Sequence, residues 1–321
     1  MEFGSFIPFE LNSWKEYYDS SRDDVISLNS GRAAVLYAVM EGGYNSVLLP
    51  IYTCPTIEKL LIENGVSCSK YNIDESMLPQ IDSVKSSTLV LITNYFGLMS
   101  KKIKEYIGHR TNFIVDNTQA FFSKPIEGVY NFYSCRKFFG VADGAYLIKP
   151  GEKIGVLNLK MSDSLSTSMF LLKAYENGIN ANYSGYKENE GRLEKEGMRA
   201  MSVFTARMMK SIDYDMARER RRSNFIAYEN AFKDRNILKN WLEDGEVPFV
   251  YPLLIKQDGL RDYLVGCKIF IPRWWKCVME NEASNEYEIL LAKYLLPLPI
   301  DQRYDENDID IIINKIMGYK E

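Results

Sequence analysis

Three short runs carry the side chains in this sequence that could do chemistry. The first is YNFYSCRKFFGVADGAYLIK, residues 130 to 149, with Lys137 between two apolar, strand-like stretches. An amine attacks a carbonyl only when it is unprotonated, and burial and a neighbouring cation both favour that form. Arg136 is adjacent, and Phe132, Tyr133, Phe138 and Phe139 flank the pair. The alternative is a plain basic turn between two strands. The second run is NFIVDNTQA, where Asp116 ends an apolar stretch. A buried carboxylate needs a cationic or hydrogen-bond-donating partner. The alternative is an Asx turn or a helix cap, with Thr118 or Gln119 following. The third is Ser30-Gly31-Arg32, between a strand-like run and a helix that starts at Ala33. Free backbone amides at a helix start, with a hydroxyl and a guanidinium, make an anion cradle. An ordinary serine cap is the alternative. Ser134, three residues before Lys137, could reach the same anion.

The elements that must position these groups read as an α/β sheet. VISLNSGRAAVLYAVME is a strand, a tight turn and a helix, and SVLLPIYTCPTIEKLLIENG is a strand, a loop and a helix. SSTLVLITNYFG, NFIVDNTQA, GVYNFYS and GAYLIKP supply four more short strands. Apolar strands separated by helical stretches predict a sheet covered by helices. Ligands of such sheets bind at the C-terminal ends of the strands, where Asn94, Asp116 and Gln119 fall. Residues 196 to 235 predict a long helical segment. Beyond them, VPFVYPLLIK reads as a strand, and NEYEILLAKYLL and DIDIIINKIMG read as helices.

Composition removes other chemistries. His109 is the sole histidine, and there is no GxSxG elbow, which argues against serine–histidine hydrolysis and histidine-rich zinc sites. GxGxxG and GxxxxGK[ST] are absent. The net charge of -4 argues against a nucleic-acid footprint. Five scattered cysteines without a CxxC pair fit a reducing, cytoplasmic setting. No stretch reaches the roughly 18 apolar residues of a membrane helix. The N-terminus lacks the pattern of a signal peptide.

SGRAA at 30 to 34, LPIYTCPT at 49 to 56, VDNTQA at 115 to 120, YSCRKFFGVADGAYL at 133 to 147 and LPLPIDQRYDENDIDIII from Leu296 occur in that order. Together they resemble the DegT/DnrJ/EryC1/StrS family of pyridoxal 5'-phosphate enzymes, best known as sugar aminotransferases. The resemblance runs from about residue 25 to the end. It implies a type I fold: a mostly parallel seven-stranded sheet with helices on both faces and a small C-terminal α+β domain. The expected division is 1–215 for the cofactor-binding part and 216–321 for the smaller one, in a homodimer. It implies that Lys137 carries the cofactor and acts as the catalytic base. Asp116 then pairs with the pyridine nitrogen, Gln119 lies near the phenolic oxygen, and Ser30, Gly31 and Arg32 cradle the phosphate with Ser134. Tyr52, or the loop from Asn94 to Gly97, is left to cover the ring, because Cys54 follows Thr53 where the family commonly has an aromatic residue. Phe132 replaces a usual serine, and Met198-Arg199-Ala200-Met201-Ser202 lacks the asparagine of a common Asn-x-Arg-Met-Ser segment, with Arg199 as its substitute. The reaction implied moves an amino group from an amino-acid donor, glutamate, to a keto acceptor, a nucleotide-linked sugar. Other chemistry on a sugar, such as dehydration, and a non-catalytic interaction role are the alternatives.

Overall fold

The run Thr88–Thr93 is apolar without a break because both of its faces are covered. Leu89 and Leu91 point into one buried cluster and Val90 and Ile92 into another, the two-residue alternation of a strand at the centre of three layers. The computed structural model describes residues 10–239 and 242–320.

In chain order the elements begin β1 (Val25–Leu28), α1 (Gly31–Glu41), β2 (Ser46–Pro50), α2 (Pro55–Glu63), β3 (Ser67–Tyr71), β4 (Thr88–Thr93) and α3 (Ser100–Ile107). Next come β5 (Phe113–Asp116), β6 (Tyr130–Ser134), β7 (Ala145–Ile148), α4 (Met169–Asn177), α5 (Tyr183–Glu196), α6 (Val203–Met209) and α7 (Tyr214–Phe232). The last are β8 (Val250–Leu254), α8 (Leu260–Gly266), α9 (Glu286–Tyr294), β9 (Leu295–Pro299) and α10 (Glu306–Gly318).

Seven strands form one sheet in the order β1-β7-β6-β5-β4-β2-β3. The five strands from β6 to β3 are mutually parallel, and β7 runs against both of its neighbours. Helices α1 and α2 cover one face through Val35, Leu36, Ile57 and Leu61. Helix α3 and residues of the C-terminal segment cover the other, through Ile103, Ile107, Val250 and Leu295. This is the mostly parallel seven-stranded sheet of the type I fold.

Helix α7 joins two cores. Ala217 belongs to a cluster with Tyr133, Phe138 and Met209, whereas Phe225, Tyr228 and Phe232 pack with β8, β9 and α10. The predicted long helix over 196–235 is therefore two, because the chain turns at 210–213 and Asp213 caps a fresh start by accepting from the Met216 amide. The predicted helix through Leu296 stops at Tyr294. Pro297 and Pro299 follow, and a residue before proline is pushed out of the helical region, so the chain continues as β9 beside β8. No helix among the described residues is long and apolar enough to cross a membrane.

Candidate functional site

The register of the sheet gathers the singled-out residues at one edge. Thr93 pairs with Asp116, and Asp116 with Phe132, so β4 and β5 end level and β6 runs two residues further. Leu28 and Ser134 both pair with Ala145 of β7, which lies between β1 and β6. Ser30 and Lys137 thus leave the sheet at the edge where Asp116 ends.

Lys137 closes a single turn of 3-10 helix, with the Phe138 amide donating to Cys135 O at 3.1 Å. Phe138 and Phe139 are buried and pack on Phe121 and Phe122, which fixes the turn from below. The Lys137 side chain reaches solvent, yet protein surrounds it on most sides, as in a cleft. Its ammonium is held below the ordinary lysine range, first by this enclosure and then by Arg136; Cys54 and Asp116 oppose the shift. Arg136 itself pairs with Glu190 of α5, and burial pushes it down to about 10.

Asp116 is 6% exposed. Its Oδ1 accepts from the Thr118 amide at 2.8 Å, so the Asx turn is real. Burial nevertheless raises the carboxyl to about 6, against the pull of Thr118 and, through space, of Lys137. The turn orients the carboxylate without neutralising it.

Ser30 caps α1, its Oγ accepting from the Ala33 amide at 3.3 Å. A side chain at Gly31 would place its Cβ 3.0 Å from Phe132 Cε2 and 3.5 Å from Thr118 Oγ1. The glycine lets the start of α1 press against the ends of β5 and β6. Arg32, next in line, makes no hydrogen bond or ion pair among the described residues. Burial lowers its guanidinium, and Glu194, Cys54 and Glu63 act on it from a distance. The first turn of α1 carries no acidic residue, so the helix start is free to take an anion. Ser134 is buried where β6 ends, at this same edge.

The other three residues divide. Gln119 is buried and its Oε1 accepts from the Phe96 amide at 2.8 Å, which leaves the amide nitrogen without a protein acceptor among the described residues. Asn94 is committed to the fold: Nδ2 donates to Ser100 Oγ and to Asn117 Oδ1, each at 3.0 Å, and Oδ1 accepts from the Met99 amide at 2.9 Å. Tyr52 is fully buried, its ring edge-on to Trp275 at 4.5 Å and tilted on Tyr95 at 5.7 Å. It packs the wall of the site. Phe96 adopts a left-handed backbone (φ 62°), pinned by Gln119 and by the Phe249 amide on its carbonyl. Trp274 stacks on Phe96 and on Phe249, each at 6.0 Å.

Cys54 was read only as the place of a missing aromatic residue. The structure sets its thiol near both Lys137 and Arg32, at the residue before α2. The signal available was the Cys-Pro pair at a helix start, which says nothing about what lies across the cleft. The Ala142-Asp143-Gly144 stretch has a structural role. Buried Asp143 accepts from the Ser202 amide at 2.9 Å, from Ser202 Oγ at 2.8 Å and from Thr205 Oγ1. Arg199 sits beside the cradle through its backbone, which exchanges hydrogen bonds with Asn29, while its guanidinium turns back to Glu196 O at 3.4 Å.

The sequence matches no family profile and no curated protein. Solved structures do match. The sugar aminotransferase CalS13 from Micromonospora echinospora superposes with a TM-score of 0.61 at 14% identity, over 94% of this chain and 89% of that one. A DegT DnrJ EryC1 StrS aminotransferase from Brucella abortus gives 0.55 at 16%, over 92% and 85%. Helicobacter pylori PseC, an aminotransferase of pseudoaminic acid biosynthesis, gives 0.60 at 13%, over 91% and 85%. The chain has the fold of the DegT/DnrJ/EryC1/StrS sugar aminotransferases. The likeness spans nearly the whole chain, so the DegT-type fold includes the C-terminal α+β segment as well as the sheet.

Proposed function

We propose that this protein is a pyridoxal-phosphate-dependent aminotransferase that moves an amino group from an amino acid, glutamate, to a ketone on a nucleotide-linked sugar. The observation that carries the reading is the meeting of two groups at one sheet edge: Lys137, its ammonium destabilised, and buried Asp116, a carboxylate with no ion-pair partner among the described residues, beside the open start of α1.

These residues fit the cofactor. A protonated ring nitrogen would give Asp116 the cationic partner that burial calls for. Arg32, Ser30 and the α1 amides would take a phosphate. When bound, the cofactor supplies an electron sink. Lys137 Nζ would hold it and would serve as the base for the proton on the donor's α-carbon. Asp116 keeps a proton on the ring nitrogen. Gln119 offers its free amide nitrogen to an oxygen on the ring, and the stacked Phe96, Trp274 and Phe249 exclude water from that side. In this reading residues 1–215 bind the cofactor, 216–321 form the smaller part, and a second copy closes the cleft. The exposed apolar residues Leu172 and Tyr175 of α4 support such a contact.

A visible absorbance band shifted to longer wavelength than that of free pyridoxal phosphate, formed on adding the cofactor, tests the reading. It should be absent in Lys137→Ala and should fade with L-glutamate. A band that survives in Lys137→Ala removes the lysine from its role. A Lys137-dependent band that no amino acid changes keeps the cofactor and sinks transamination.

A further inference from the structure

Away from the Lys137 cleft, a cavity of about 70 Å³ opens beside α8. Arg261, Arg273 and Lys293 line it, together with Asp258 and Asp262, so cations exceed carboxylates by one. Arg261 is its fixed part. Nη2 donates to Leu295 O at 2.6 Å and orients the guanidinium, while Nε and Nη1 are buried with no acceptor. Gln257 Oε1, in the same lining, is buried and unpartnered too. So is the hydroxyl of Tyr52, on which Arg261 acts through space. Buried polar atoms are almost always paired, and a guanidinium with two idle nitrogens, three N–H groups in all, is a costly exception. Among the described residues the neighbouring cations form no ion pair with a carboxylate. Arg273 Nη1 touches Met279 Sδ at 4.0 Å, and Lys293 Nζ lies over the Tyr294 ring at 4.7 Å. Burial and then Arg273 push Arg261 down to about 10, which leaves it charged at neutral pH.

We propose that this cavity binds a small oxyanion, a phosphate or a carboxylate group, held by the free Nε and Nη1 donors of Arg261 with Arg273 and Lys293 adding charge. A guanidinium fork matches the paired oxygens of either group.

The test is calorimetric titration of the cofactor-free protein with inorganic phosphate and, separately, with acetate, in wild type, Arg261→Gln, Arg273→Gln and Arg32→Gln. Saturable binding that weakens about tenfold or more in Arg261→Gln and severalfold in Arg273→Gln, with Arg32→Gln keeping it, supports the site. The anion that shows this pattern identifies the source as phosphate or carboxylate. If Arg261→Gln does not fold, Arg273→Gln, altered at an exposed residue, carries the comparison. Binding unchanged in both, or lost only in Arg32→Gln, overturns the proposal and assigns the anion to the start of α1. Failure of both anions to bind also overturns it and leaves a cavity filled with water. None of these readings depends on the visible band, so the two proposals fail separately.

Discussion

Asp116→Asn keeps the shape of the side chain and its bond from the Thr118 amide, 2.8 Å in the native protein, and removes the charge. In the cofactor-free protein that charge is a burden. The carboxyl rises from 3.8 to about 6, chiefly through burial. At about 1.4 kcal/mol per tenfold change in proton affinity, the ionised form costs the fold about 3 kcal/mol at neutral pH. Removing it also takes from Lys137 one of the charges that keep it protonated, so the expected net gain is roughly 1–3 kcal/mol. That is a sizeable part of a typical stability of roughly 5–15 kcal/mol. The sign follows from proton counts. The folded protein holds this proton until about pH 6 and the unfolded chain releases it near 3.8, so between these values the folded state binds more protons and stability falls as pH rises. The asparagine variant lacks this slope. Urea unfolding of both proteins, without cofactor, across this range should show the variant's advantage small below pH 3.8 and full above pH 6. If Asp116 pairs with the ring nitrogen as proposed, pyridoxal phosphate should reverse the order, because asparagine offers no charge to that nitrogen. An advantage that does not change with pH would refute the assignment of a buried, destabilised charge at Asp116.

Gly97→Ala should destabilise the protein by about 1–3 kcal/mol, because Gly97 holds φ at +82° and an added Cβ would lie 2.6 Å from Gln119 O; an unchanged urea midpoint would disprove the close approach. Arg32→Gln should weaken pyridoxal phosphate by roughly ten- to a hundredfold, the worth of a charge-assisted hydrogen bond. It should leave unphosphorylated pyridoxal unaffected, which equilibrium titration of both compounds will check. Asp143→Ala should cost about 3 kcal/mol, since the Ser202 amide and hydroxyl and the Thr205 hydroxyl lose their shared acceptor inside the protein. Thermal unfolding reads this directly, and a loss near zero would mean that the segment is held from elsewhere.

The strands at the middle of the sheet were legible because their runs are apolar on both faces, and the ends of those runs named Asp116 and Lys137. Strand β3, SCSKY, was not. It lies at the edge with four of its five residues at least partly exposed, and so carries no apolar pattern. The α4–α5 pair was missed as well: α4 buries no side chain, and the buried residues of α5 are only Asn189 and Leu193. Asn94 and Gln119 look alike from the sequence, two amides at strand ends. Packing separates them, since the loop uses both donors of Asn94 and leaves those of Gln119.

By itself the sequence determined what depends on neighbours along the chain: the strands, the helix starts, the serine that caps α1, the lysine in its turn. Those follow from backbone geometry and the alternation of apolar side chains, which a few residues suffice to set. Only the tertiary structure decided that Lys137 comes within reach of Asp116 and Cys54, and that Arg261 and Tyr52, 209 residues apart in the chain, act on one another. Charge, burial and an unfilled hydrogen bond are properties of what surrounds an atom, and the packing of distant segments alone sets those surroundings.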